Sequence, residues 1–232
     1  MNPATFIVRV WLPDRPGALG AIASRIGAVK GDVAGIDILE RGGGRAIDEF
    51  IVELPDGALV DALVREINEV DGAAVEEVRP VVEGRIDPWL DALETAAQLV
   101  GAGNAEELLE ILCDHAYRGI GAAWAAVVDI ETCEIRAERG ATPPQAWLSA
   151  FLEGSRESAR LAAGFSPDDV TWVPLPSAGV ALVLGREGTA FRAKERRQAG
   201  ALARVADAWL CGLRTISILS SRLAHPSRVA PC

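Results

Sequence analysis

The residues of this chain able to do chemistry are few and scattered, with one exception. The four cysteines, Cys113, Cys133, Cys211 and Cys232, form no C-x-x-C pair, and only His115 and His225 could supplement them. Zinc sites need ligands clustered at short spacing, so no metal site is expected. No serine or cysteine carries the motif of an activated nucleophile; Gly154-Ser155 and Ser220-Ser221 lack the glycine-flanked turn of hydrolases. The carboxylates Glu76-Glu77, Glu106-Glu107 and Asp168-Asp169 are chain neighbours at helix starts or strand edges. Neighbours on a strand point to opposite faces and make poor acid–base partners. No catalytic residue and no cofactor is assigned, and the chain reads as non-enzymatic. The exception is Asp14-Arg15-Pro16-Gly17-Ala18-Leu19. It joins an alternating apolar run to a helical pattern, so the unbonded N–H groups of the first helical turn converge on one spot. That spot suits a small anion, the carboxylate of an amino acid included.

The elements that position this loop are legible around it. Phe6, Val8, Val10 and Leu12 share one face of a half-buried strand, with Arg9 on the other. Pro13 and Pro16 bracket a turn, and Asp14 is placed to cap a helix starting near Pro16. Leu19, Ile22, Ile26 and Val29 form its apolar stripe, and Gly31 stops it. A second strand spans Val33 to Leu39 and a third Ile47 to Leu54, joined by the turn Arg41-Gly42-Gly43-Gly44-Arg45. That glycine run is a hairpin tip, because a phosphate loop would lie between a strand and a helix. A second helix follows Pro55-Asp56-Gly57 with Leu59, Leu63 and Ile67 on its buried side, and Ala73 to Val81 is a fourth strand. The order β-α-β-β-α-β predicts two helices on one face of an antiparallel sheet, the ferredoxin-like arrangement.

The loop from Asp14 to Leu19, with its companion Lys30-Gly31-Asp32-Val33 at the far end of the helix, resembles the ACT domain, a small-molecule sensing module. The resemblance spans nearly all of residues 1–82. It implies side-by-side pairing of domains, with amino acids held at the seam between protomers. It also implies ligand contacts from Asp14, Arg15, Gly17, Ala18 and Leu19, and from Asp32, Val33 and Ala34 at the start of the second strand. Where that family often carries Asn, this chain has Asp32. An ionised carboxylate only accepts hydrogen bonds, so Asp32 either repels a ligand carboxylate or turns toward its ammonium group. Asp14 has a plainer reading beside this one, as a helix cap alone.

After Glu83-Gly84-Arg85, a joint, a second unit is expected over residues 86–225. Ile86, Leu90, Leu93, Ala97 and Val100 form an apolar stripe on a helix begun by Asp87-Pro88, and Asn104 caps the next helix. Two hairpins follow, Ala122–Ile130 with Cys133–Glu138 and Val170–Leu175 with Gly179–Leu184. A helix from about Gln145 to Ala162 lies between them, and a long helix begins near Phe191. This order is similar to the GAF domain, another sensor fold. The local match is Val173-Pro174-Leu175, Val180 to Leu184, then Phe191 with Glu195-Arg196-Arg197. The Asn-Lys pair of cyclic-nucleotide-binding members is replaced by Gly185-Arg186-Glu187, so that activity is not carried over. The fold class expected is therefore α+β, an ACT-like domain followed by a GAF-like one with a long terminal helix.

Leu202, Val205, Trp209, Gly212, Ile216, Leu219 and Leu223 keep a narrow a/d-like spacing on that last helix. The seam predicts a homodimer through paired helices, joined by the helix from Ile86 to Val100. With 232 residues, half of them hydrophobic, two cores are easily buried. A net charge of −10 disfavours nucleic acid. Arg192, Lys194, Arg196 and Arg197, with Glu187 and Glu195 nearby, read as a solvated helical face. The chain shows no signal peptide and no long apolar run, so a cytoplasmic location with reduced thiols and no membrane partner is expected. The partner expected is an amino acid or similar small carboxylate, sensed by the chain itself or by an enzyme on which it docks.

Overall fold

A computed structural model describes residues 3–81, 88–157 and 168–224 of the chain. The joint at residues 83–85, Ile86, the helix extension to Ala162 and the tail from His225 lie outside the described residues. Contacts divide the chain into two compact units, Met1–Trp89 with Arg192–Lys194 and Leu90–Phe191 with Glu195–Cys232. No helix among the described residues is long and apolar enough to cross a membrane.

The N-terminal unit runs β1 (Ala4–Pro13), α1 (Ala18–Ala28), β2 (Asp32–Gly42), β3 (Arg45–Leu54), α2 (Val60–Asn68) and β4 (Ala74–Pro80). Its antiparallel sheet has the order β2-β3-β1-β4, which is the expected ferredoxin-like topology. Val8 and Val10 of β1 and Phe50 and Val52 of β3 pack under Ile22 and Ile26 of α1 and Leu63 and Ile67 of α2. All eight side chains leave solvent, and at about 25 cal/mol per Å² their burial is the main force holding the helices down. The β2–β3 turn is tighter than the five-residue run suggested. Only Gly43 and Gly44 lie outside the strands, at φ 59° and 76°, the two left-handed positions of a two-residue hairpin.

The C-terminal unit runs α3 (Pro88–Gly101), α4 (Ala105–Ile120), β5 (Trp124–Asp129), β6 (Ile135–Gly140), α5 (Gln145–Glu157), β7 (Val170–Leu175), β8 (Val180–Gly185) and α6 (Ala193–Ala224). Its antiparallel sheet has the order β6-β5-β8-β7, so Pro174 sits on an edge strand, where a missing N–H costs nothing. Both faces are covered. Ala125, Val127, Leu182 and Leu184 pack with α4 and α6, while Trp124, Ala126, Val128, Ala181 and Val183 pack with Leu148 and Leu152 of α5. Two buried faces explain why β5 and β8 are apolar without alternation. Asn104 caps α4 as expected, its Oδ1 accepting from the Glu107 N–H at 2.9 Å.

A buried ion pair closes this unit. The Arg186 guanidinium donates to both carboxylate oxygens of Glu195, to the carbonyls of Ile120 and Gly121, and to that of Ala190. It also stacks 4.1 Å from the Phe191 ring centroid. The basic run after it is not simply a solvated face, since Arg196 donates to the carbonyls of Phe191 and Val170. On α6, Ala199, Ala203, Ala206 and Leu210 face the core, whereas Leu202, Val205, Trp209 and Gly212 of the expected seam are half-buried. On α3 the expected stripe is bare: Leu90, Leu93 and Val100 are 53%, 60% and 48% exposed.

Candidate functional site

The strand-to-helix loop after β1 differs from the expectation in one respect. Helix α1 begins at Ala18, and its N-cap is Gly17, in a left-handed conformation at φ 87° with no side-chain cap. Asp14 therefore does not cap the helix; its own N–H donates to the Gly44 carbonyl across the β2–β3 turn. The physical reason is the left-handed step at Gly17, a conformation that a side chain disfavours. It starts the helix two residues later than Pro16 and leaves the cap position without a side chain. Ala18 N–H reaches the Arg15 carbonyl at 3.3 Å. No backbone acceptor is found among the described residues for the N–H groups of Gly17, Leu19 and Gly20. The loop is thus an uncapped helix start with donors to spare.

A cleft of about 220 Å³ opens beside it, lined by Pro13, Arg15, Pro16, Gly17, Ala18, Ala21, Val70 and Asp71. Arg15 and Asp71 face each other at 3.7 Å, and both are largely exposed. Gly72 holds the 70–72 loop against β1: it has φ 76°, and a Cβ there would lie 2.8 Å from Pro13 Cγ. Three of the residues expected at the site, Arg15, Gly17 and Ala18, line this cleft, and Asp14 and Leu19 flank it in the chain. Val70 and Asp71 were missed. Their signal was the antiparallel neighbour of β1, whose entry loop must pass the same strand end.

The second expected group lies elsewhere. Asp32, Val33 and Ala34 open β2, at the far end of α1, and 11 helical residues at ~1.5 Å each separate the groups by about 16 Å. One copy of the unit does not bring them together. Asp32 is exposed and already engaged, its Oδ1 accepting from the Val33 N–H at 2.9 Å. The residue that ends α1 in a left-handed turn is Lys30, at φ 61°. Gly31 beside it matters for space, since a Cβ there would meet Ile26 and Leu54 atoms at 3.0–3.1 Å.

Two charged features of the sheet went unread in the sequence. Arg9 is only 1% exposed, and its Nε and Nη2 both donate to Glu49 Oε1, at 3.1 and 2.7 Å. Arg79 adds a third donor to the same oxygen at 3.3 Å. Burial pushes the Glu49 carboxyl up, but Arg9 and Arg79 outweigh it and hold the group below its ordinary value. Asp48, next along β3, is also 1% exposed, and its Oδ1 has no hydrogen-bond partner among the described residues. Burial raises its carboxyl above the ordinary value; Arg41 opposes the rise, while Asp14 and Asp37 add to it.

Elsewhere the chemistry-bearing residues serve structure. His115 joins α4 to α3, its Nδ1 2.8 Å from Thr95 Oγ1 and its Nε2 2.9 Å from Gln98 Oε1. Cys113 lies in the core, and burial pushes its thiol up to about 12. No cluster of three or more metal-ligating side chains is found among the described residues.

Residues 6–72 match the family model described as ACT domain. The N-terminal unit is thus an ACT domain, as its loop and topology indicated, and it is followed by a second α/β unit ending in a long helix. A comparison with curated proteins gave no match. Among solved structures, the chain is similar to uncharacterized protein TM1266 from Thermotoga maritima. That match has 16% identity and a TM-score of 0.29, over 35% of this chain and 100% of that one. It is also similar to bacteriophytochrome RpBphP3 from R. palustris, with 10% identity and a TM-score of 0.42, over 82% of this chain and 44% of that one. An unknown protein from Galdieria sulphuraria matches with 14% identity and a TM-score of 0.29, over 79% of each chain.

Proposed function

We propose that this chain is a non-enzymatic sensor that binds an amino acid on the first turn of α1 and relays its presence by contact. The observation that carries the reading is the uncapped start of α1 at Gly17, where the N–H groups of Gly17, Leu19 and Gly20 find no backbone acceptor among the described residues. A carboxylate placed there gains charge-assisted hydrogen bonds and the favourable end of the helix dipole. ACT units bind small molecules as a family, and the match over residues 6–72 supports that general role here.

The site residues from the two ends of α1 meet only if a second copy brings its β2 to the loop of the first. Strand β2 is a sheet edge, and on its helix-facing side Ile36 and Ile38 are 47% and 36% exposed. Pairing along β2 would cover both and carry Asp32, Val33 and Ala34 to the partner's seam. The C-terminal unit, with its two hairpins and Phe191–Glu195 at the head of α6, is read as GAF-like. Its bare α3 stripe is read as a second contact between protomers. That stripe favours one other reading, a regulatory subunit that docks on a separate enzyme of amino-acid metabolism. The location proposed is cytoplasmic.

The test is thermal stabilisation of the full chain by each common amino acid at millimolar concentration, since a ligand of the folded state raises its stability by mass action. Stabilisation by one or a few amino acids, lost in Gly17→Asp, is the expected result. An Asp at that position brings a side-chain carboxylate to the same N–H groups and repels the ligand's. A shift unaltered in Gly17→Asp would overturn the placement of the site. No shift with any amino acid would move the chain to the docking reading.

A further inference from the structure

The cleft beside α1 is walled on two sides by residues that the core holds in place, and this bears on what it can hold. One wall is α1, where Ala18 and Ala21 lie three residues apart and so share a face. Ala18 packs with Leu12 and Ala46. One turn beyond Ala21 on the same face, Arg25 pairs with Glu66 at 3.0 Å and bridges α1 to α2. The opposite wall is Val70, at the head of a tight turn before β4. Its N–H donates to the Ile67 carbonyl at 3.1 Å, and its carbonyl accepts from the Ala73 N–H at 2.9 Å. Gly72 takes the left-handed position of that turn, and the Val70 side chain packs against the core of the unit. Moving either wall would break these contacts.

The size and chemistry of this space limit its occupant. About 220 Å³ is less than the ~300–1,000 Å³ usual for drug-sized ligands, so only a small group fits. Apart from Arg15 and Asp71, the lining side chains, such as Pro13, Ala21 and Val70, carry no polar atom. Those two are opposite in sign, 3.7 Å apart and largely exposed, and charges so placed in water attract a third group weakly. A charged or amide side chain pressed between the walls would lose water and gain no partner. Ala21 lies about 4.5 Å along the helix from Ala18, at ~1.5 Å per residue. That is the reach of a side chain of about three carbons extending from the helix start.

We propose that the cleft holds the side chain of the bound amino acid and selects a short aliphatic one, of about valine's size. The inference rests on the function proposed above and names the ligand class of that site. The ligand's carboxylate meets the N–H groups of the first turn, and its side chain lies between Ala21 and Val70. Each methylene taken out of water is worth about fourfold in affinity, so valine gains over glycine. An aromatic ring overfills the gap between two fixed walls, and the strain outweighs its added apolar area. Ala21 and Val70 are thus the residues that set specificity, and Val70 does so from a loop outside the helix start.

The experiment titrates the full-length wild type, Ala21→Leu and Val70→Ala calorimetrically with glycine, valine and phenylalanine. The wild type is expected to bind valine about tenfold or more tightly than glycine or phenylalanine. In Ala21→Leu the larger side chain fills the cleft, so valine affinity falls to that of glycine while glycine binds as before. Val70→Ala opens the opposite wall and narrows the preference for valine over phenylalanine about fivefold. A wild type that binds all three alike overturns the inference. Loss of valine binding in Gly17→Asp, with the valine preference intact in both cleft variants, keeps the carboxylate site and removes the cleft from it. Valine binding unaltered in Gly17→Asp overturns both readings. A wild type that binds none of the three overturns the inference, and the thermal screen with the other amino acids then decides whether the site stands. If Ala21→Leu does not fold, Val70→Ala decides alone, and an unchanged preference between valine and phenylalanine overturns the inference.

Discussion

Replacing Arg186 by Met is the perturbation whose cost the structure specifies most fully. The guanidinium and the Glu195 carboxylate are 6% and 5% exposed, so water screens neither. Arg186 also donates to the carbonyls of Ile120 and Gly121, which end α4, and so ties that helix to the end of β8 and the start of α6. Methionine fills much of the same volume but leaves Glu195 charged and buried without Arg186. Breaking one side of a buried pair in this way costs about 3–5 kcal/mol. For a unit of this size each kcal/mol moves the midpoint by about 2–4 °C, so a fall of ~6–20 °C is expected in thermal unfolding. The double variant Arg186→Met with Glu195→Leu removes both members of the buried pair. Its cost should be less than that of Arg186→Met alone, because the two sites are directly coupled. Urea and thermal unfolding of the three variants decide the matter. A loss under about 1 kcal/mol for Arg186→Met, or a double variant as unstable as the sum of the singles, would refute the reasoning.

Two further outcomes follow from the titratable groups. Arg9 and Arg79 hold the Glu49 carboxyl below its unfolded value of 4.5, so its stabilisation is complete above that pH and is lost as pH falls through the folded value. Glu49→Gln should therefore be less stable than the wild type at neutral pH, by roughly 3 kcal/mol, and the gap should close in acid; a gap independent of pH in urea titrations would contradict this. The Cys113 thiol, pushed up to about 12 and out of contact with solvent, should stay unmodified by iodoacetamide in the native protein at pH 8, while exposed Cys211 is alkylated. Peptide mass spectrometry reads both residues at once, and rapid labelling of Cys113 would show that the core opens more readily than its packing implies.

The ease of reading this chain follows the length scale of each signal. The alternation from Phe6 to Leu12, the glycines at the hairpin tip and the Asn104 cap are local, and each produced the element that it announces. The start of α1 was misread because Asp14 has the right side chain for a cap, while the left-handed step that fixes the true cap belongs to Gly17. The stripe on α3 was read correctly as apolar, but periodicity does not say whether another surface covers it, and Leu90, Leu93 and Val100 are bare. Arg9 was read on the face opposite Val8 and Val10; its burial against Glu49 depends on a register that no single strand encodes. Asp48 passed unnoticed between Ile47 and Glu49, although it shares the parity of Phe50 and Val52. An acidic residue on the core parity of a strand is the sequence signal that could have found it.

Calorimetric titration of three proteins decides whether the uncapped start of α1 receives the carboxylate of an amino acid, as proposed. Wild type, Gly17→Ala and Gly17→Asp are titrated with the amino acid that stabilises the wild type best. Alanine at a left-handed position costs about 1 kcal/mol of stability but leaves the N–H groups open, whereas aspartate brings its own carboxylate to them. The expected result is saturable binding by the wild type, binding retained in Gly17→Ala, and none in Gly17→Asp. Equal binding by all three proteins would contradict it.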